Sequence, residues 1–176
     1  MKGLGVLALP LVLGVLVAGA HARQESFAVD VTGMGTLPLK HYQPSVGPAL
    51  GGLVGFELEA FPSFSLTGRG GYIVHTRRDD FSRSLVPILG GLKITSYDSP
   101  LYVAGEVGRV SVRDRYDGSD STLKDGRATR TAWGVGVGSA VERLDLRVSM
   151  HFWDAARLRR SATLDISLAF LLLGSD

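Results

Sequence analysis

The stretch Leu144-Asp145-Leu146-Arg147-Val148-Ser149-Met150-His151-Phe152 changes from apolar to polar at every step. A period of two marks a β-strand with one apolar and one polar face, whereas an amphipathic helix repeats its apolar positions every three to four residues. The same period recurs outward in both directions. After it, residues 162–172 set Leu164, Ile166, Leu168 and Phe170 against Thr163, Asp165 and Ser167. Before it, 129–141 opposes Trp133, Val135 and Val137 to Arg130, Gly134, Gly136 and Gly138, and 101–113 opposes Leu101, Val103 and Val107 to Ala104, Glu106 and Gly108. The alternation of that fifth segment blurs near Val110, where a β-bulge is expected.

Four earlier segments complete a set of eight, at 26–36, 49–59, 64–75 and 85–95. Their apolar faces carry Val29 and Val31, then Val54 and Phe56, Leu66 and Tyr72, and Ile88 and Leu92. The connections alternate too. Residues 60–63, 97–100 and 142–143 are short, while 37–48, 77–84, 114–128 and 154–161 are longer and polar. Short turns at one end and long loops at the other describe an up-and-down barrel that crosses an outer membrane, with its turns in the periplasm.

Ahead of the strands, Met1-Lys2 leads into the apolar run Leu4 to Val17 and then Ala18-Gly19-Ala20-His21-Ala22. A basic start, an apolar centre and small residues before a cleavage point make residues 1–22 a signal peptide. Cleavage is expected after Ala20 or Ala22, with Ala22 favoured, so that 23–176 forms the barrel domain. The apolar run of about 14 residues falls short of the ~20 that a spanning helix needs.

The composition sets limits on function. The chain has 176 residues, enough for a single core, and no cysteine, so neither a disulfide framework nor thiolate metal sites arise. A net charge of +2 without a sustained basic run argues against nucleic acid as a partner. Alternation alone does not separate a membrane barrel from a lipocalin-like soluble barrel with an apolar cavity. Size does: an eight-stranded barrel is just wide enough for side chains to fill, and the bulky apolar face would not fit inside it. The polar face, largely Gly, Ala, Ser and Thr with a few charges, is too poor in Lys and Glu for a soluble exterior.

The eight-strand plan, the signal peptide, and the phrases Val86-Pro87-Ile88-Leu89-Gly90-Gly91-Leu92-Lys93 and Pro100-Leu101-Tyr102-Val103-Ala104-Gly105 resemble the OmpA/OmpX-like small outer-membrane barrels. The resemblance spans essentially the whole mature chain, but its motifs are degenerate, so it speaks to architecture more than to activity. It implies a structural or surface-interaction role, as anchor or adhesin, at the cell outer membrane. The implied partners are outer-membrane lipid and lipopolysaccharide, the outer-membrane assembly machinery, and a surface ligand met through loops 37–48 and 114–128. Such chains finish on an aromatic residue that the machinery reads. Here Phe170 is followed by Leu171-Leu172-Leu173-Gly174-Ser175-Asp176, so an atypical signal, or one using Phe170 and Leu172, is expected.

Twelve ionisable residues fall on inward positions: Asp30, Glu57, Glu59, Arg69, His75, Lys93, Glu106, Arg130, Asp145, Arg147, His151 and Asp165. Charges removed from water require partners, so a mutually paired network that fills the barrel and blocks conduction is expected. The core of that network is Asp30, Glu57, Arg69, Lys93, Glu106, Arg147, His151 and Asp165. Hairpin counting pairs Lys93 with Glu106, Glu57 with Arg69, and His151 with Asp165. A second reading is a lipid A acyl-modifying enzyme, since some barrels of this size act through a Ser, a His and an acid. Ser149, His151 and Asp165 supply a nucleophile, a base and an orienting carboxylate. The Ser-x-His order reverses the His-x-Ser of that deacylase group. No cofactor is implied, and His75 and His151 lack the spacing of metal ligands. The glycine runs 68–71 and 134–138 lack a phosphate-loop lysine and read as strand packing.

Overall fold

A computed structural model describes residues 27–39, 46–77, 81–116 and 126–175. Residues 1–26, which include the signal-peptide segment, parts of three of the long loops, 40–45, 78–80 and 117–125, and residue 176 lie outside these described residues. Eight strands follow in chain order: β1 Phe27–Pro38, β2 Ala49–Phe61, β3 Phe64–His75, β4 Phe81–Thr95, β5 Leu101–Tyr116, β6 Gly126–Val141, β7 Leu144–Phe152 and β8 Ala162–Ser175. Each pairs antiparallel with the next, and β8 returns to pair with β1, so the sheet is a closed up-and-down barrel with no free edge. A six-residue 3-10 helix, Ala155–Arg160, sits between β7 and β8, and the Asp154 side chain caps it by accepting from the Ala156 amide.

The register explains where the turns lie. Val141 pairs with Leu144 and leaves a two-residue turn, in which Glu142 takes a positive φ of 50°. Ser63 does the same at 67° between β2 and β3. Along β3 and β4 the pairing passes from Gly70–Ile88 to Ile73–Leu85 across Pro87, whose nitrogen has no hydrogen to donate.

Three sequence expectations change. The β-bulge near Val110 is absent: β5 keeps a single register with both neighbours, and Val110 and Val112 point inward while Arg109 points outward. Strands β4, β5 and β6 also run further than the periodicity indicated, because their outer ends alternate polar with polar and carry no apolar rhythm. Asp114 therefore belongs to β5 and not to a loop. Finally, the interior is not uniformly polar. Toward the long-loop end it is lined by Met34, Leu53, Ile73, Leu85, Leu89, Val110, Val112 and Trp153, all buried. Charged and hydroxylated side chains occupy the middle and the short-turn end.

The outward face is the opposite of a soluble surface. Leu50, Val54, Ile88, Val107, Val137 and Leu168 are each more than half exposed. Aromatic residues gather at both margins of this belt. Phe61 and Phe64 lie 6.4 Å apart beside the β2–β3 turn, and Trp133 stacks on Phe152 at 4.3 Å on the outer side. Aromatic girdles bounding an apolar band are the signature of a transmembrane barrel.

Candidate functional site: an ionic network inside the barrel

The interior network has two parts joined through the barrel axis. Near the short turns, Lys93 on β4 reaches Glu57 on β2 at 2.8 Å and Asp145 on β7 at 3.5 Å. Its ammonium also lies 4.4 Å from the centre of the Tyr102 ring, and the Tyr102 hydroxyl donates to Asp145 at 2.5 Å. In this cluster one cation is shared by two carboxylates and an aromatic face.

Glu106 on β5 is the hub of the second part. Arg147 donates to it at 2.7 Å, Arg69 approaches it at 3.3 Å, and His151 Nε2 lies 3.2 Å from its other oxygen. His151 Nδ1 in turn lies 2.5 Å from Asp165. The ring satisfies both carboxylates only with a proton on each nitrogen. Thr163 donates to Asp165 at 3.2 Å, Trp153 donates to Thr163 at 3.0 Å, and the Trp153 indole stacks over His151 at 4.9 Å. The indole thus separates the charged layer from the apolar one above it.

Glycine makes room for this network. A Cβ at Gly134 would collide with the His151 ring, and one at Gly138 with the Tyr102 ring. At Gly136 it would stand 2.8 Å from Arg147. Alternate glycines on β6 are therefore the floor on which three large polar side chains lie, which is why they cluster inside an apolar stretch.

Two of the three expected pairings are redrawn. Lys93 meets Glu57 and Asp145 in place of Glu106, and Arg69 reaches Glu106 in place of the expected Glu57. Hairpin counting considers only neighbouring strands, whereas these side chains span the lumen. Asp30 accepts from Thr32 on its own strand at 2.7 Å. His75 contacts the Gly47 carbonyl at 2.8 Å, and Arg130 pairs with Asp154 at 3.1 Å, so both serve the outer rim. The periodicity overlooked Tyr102, although it stands two residues before Ala104 on the inward face. It also overlooked the half-buried pair of Arg83 with Asp114, which is bidentate at 2.6 and 2.7 Å.

Ser149, His151 and Asp165 do share the interior, and Ser149 stands opposite Asp165 in the β7–β8 register. Their geometry differs from that of a hydrolytic triad, because His151 Nε2, the nitrogen that would activate a serine, faces Glu106. Ser149 is also buried within the wall, on the face away from the apolar belt.

No protein-family description and no curated protein matches the sequence. Solved structures do match the fold. Ail, the attachment invasion locus protein of Yersinia pestis, aligns over 85% of this chain and 99% of its own at 10% identity, with a TM-score of 0.59. The architecture is that of the small eight-stranded outer-membrane barrels. Neisserial surface protein A is 12% identical over 84% of this chain and 96% of its own, with a TM-score of 0.58. The N-terminal β-barrel domain of Pseudomonas aeruginosa OprF is 14% identical over 84% and 98%, with a TM-score of 0.56. At such identities the likeness extends to the fold alone.

Proposed function

We propose that this chain is exported, loses residues 1–22, and resides in the outer membrane as a filled barrel with a structural or surface-interaction role. The observation that carries the reading is the inversion of faces: large aliphatic side chains cover the outside, and paired charges occupy the inside. A soluble barrel would expose that apolar belt to water at a cost of roughly 25 cal/mol for every Å². In a bilayer the same surface is solvated by lipid, and closure of the sheet leaves no strand edge with its amides facing lipid.

The filled interior supports a non-conducting wall. A cavity of about 20 Å³ lies among Asp30, Glu57, Arg69, Lys93, Asp145 and Arg147, close to the volume one water occupies. Above it, Trp153 and the buried aliphatics close the lumen toward the long loops. Surface interaction is assigned to the segments 37–48 and 114–128 at the end of the barrel with the longer connections, since partner contacts are commonly made by loops on a rigid scaffold. Insertion is assigned to the outer-membrane assembly machinery. The lipid A acyl-modifying reading is not favoured, because both nitrogens of His151 are engaged by carboxylates.

Cell fractionation tests the location: the mature chain should pellet with outer membranes and start near Arg23. Recovery from soluble periplasm after gentle lysis would overturn the membrane reading. In planar bilayers the wild type should show negligible steady conductance, and a large one would overturn the filled interior.

A further inference from the structure

The outer surface of β4, β5 and β6 combines two features that are found together nowhere else on the described belt, although outward glycines also occur on β1 to β3. First, Gly90 on β4 and Gly105 on β5 face outward, and nothing lies within 4 Å of where a Cβ at Gly105 would stand. Gly105 is flanked by Leu92 and Val135, and Gly90 by Val107, which is itself paired with Trp133. The result is an open apolar groove of about 860 Å³ running along the outside of the sheet.

Second, the groove leads to a cluster of arginines. Arg109 follows Val107 by two residues on the same face of β5, about 7 Å further along the strand. Beyond it Arg113 is paired directly with Arg127 of β6, and all three side chains are exposed. Among the described residues the outward positions of β4, β5 and β6 include no carboxylate, and no other strand carries a basic residue on its outward face. Like charges placed directly opposite each other on an antiparallel pair destabilise it. A bound anion removes that cost.

From this juxtaposition we propose that the β4–β6 wall holds a phosphorylated, multiply acylated lipid of the outer leaflet, of the lipid A kind. One acyl chain lies in the groove floored by Gly90 and Gly105, and phosphate is gripped by Arg109, Arg113 and Arg127. Guanidinium groups suit this role because they bind phosphate bidentately at fixed geometry. An acyl chain fits the open groove that runs up to the arginines, a space that a bare phosphate would leave empty. A second copy of the chain docked about a twofold axis would instead bring arginine against arginine. The proposal rests on the membrane reading above.

The full mature chain, extracted in mild detergent, would be placed in phosphatidylcholine nanodiscs carrying either lipid A or its dephosphorylated form, and lipid retained after release would be read by native mass spectrometry. The wild type should retain lipid A about tenfold more than the dephosphorylated form, the difference expected from one or two charge-assisted hydrogen bonds. The combined substitution of Arg109→Gln, Arg113→Gln and Arg127→Gln should erase that preference. Gly105→Leu should reduce retention of both lipids by filling the groove. Heat-modifiable gel mobility verifies that each variant is folded. Equal retention of the two lipids by a folded, inserted wild type would overturn the lipid site and leave the membrane reading standing. So would an unchanged preference in the arginine variant. Failure of the wild type to enter any nanodisc would overturn both.

Discussion

His151 stands between two carboxylates from different parts of the wall, Asp165 on β8 at 2.5 Å and Glu106 on β5 at 3.2 Å. Glu106 has Arg147 and Arg69 as well, but Asp165 has in addition only the Thr163 hydroxyl among the described contacts. His151→Leu should therefore cost ~3 to 5 kcal/mol, chiefly through the stranded Asp165. Adding Asp165→Asn should recover part of that loss. Urea unfolding in micelles measures both, and a double variant no more stable than His151→Leu would sink the idea.

Lys93 provides a sharper test of partner choice. Lys93→Met leaves Glu57 and Asp145 facing each other's charge across the lumen without the ammonium. Combining it with Glu57→Gln should restore stability, whereas combining it with Glu106→Gln should make matters worse by also stranding Arg147. The reverse ranking of the two doubles would restore the hairpin pairing read from the sequence.

On the outer face, Val135→Arg or Ile166→Arg places a charge within the apolar belt. Each should lower folding free energy by ~2 to 4 kcal/mol near the bilayer midplane. Undiminished folded yield in lipid would mean that inside and outside are exchanged.

Glycines on opposite faces should respond with opposite signs. At Gly134 a side chain meets the His151 ring, so Gly134→Val should overpack the lumen and cost about 1 to 3 kcal/mol. Gly33 faces outward with nothing within 4 Å of a Cβ, so Gly33→Val should stabilise β1 by a few tenths to ~1 kcal/mol. Thermal melts of the two variants in one detergent give the comparison, and a shift of the same sign in both would contradict the assigned faces.

Much of the barrel was legible because alternation is local: Leu144 to Phe152 reveals its two faces without reference to any other strand. Turn positions were legible for the same reason, since Pro62-Ser63 and Glu142-Arg143 interrupt the period. Partners across the lumen were not. Lys93 finds Glu57 two strands away on β2 and Asp145 three strands away on β7, a meeting set by closure and strand stagger, which no hairpin count contains. The apolar layer was illegible for another reason: inward Val110 and Val112 look like a break in rhythm when an all-polar interior is assumed. The outward Arg113 and Arg127 were hidden likewise, because their strand ends alternate polar with polar.

Strand β8 closes the sheet against β1 and also carries Asp165, the counter-charge of His151. Joining the edges and neutralising the lumen are thus one event. A nascent chain halted before residue 165 would keep two raw edges and a histidine without its main acid, so incompleteness is displayed outwardly as unpaired backbone and inwardly as unbalanced charge. Any protease that surveys the periplasm for open edges would in effect be proofreading the lumen as well, without ever reaching it.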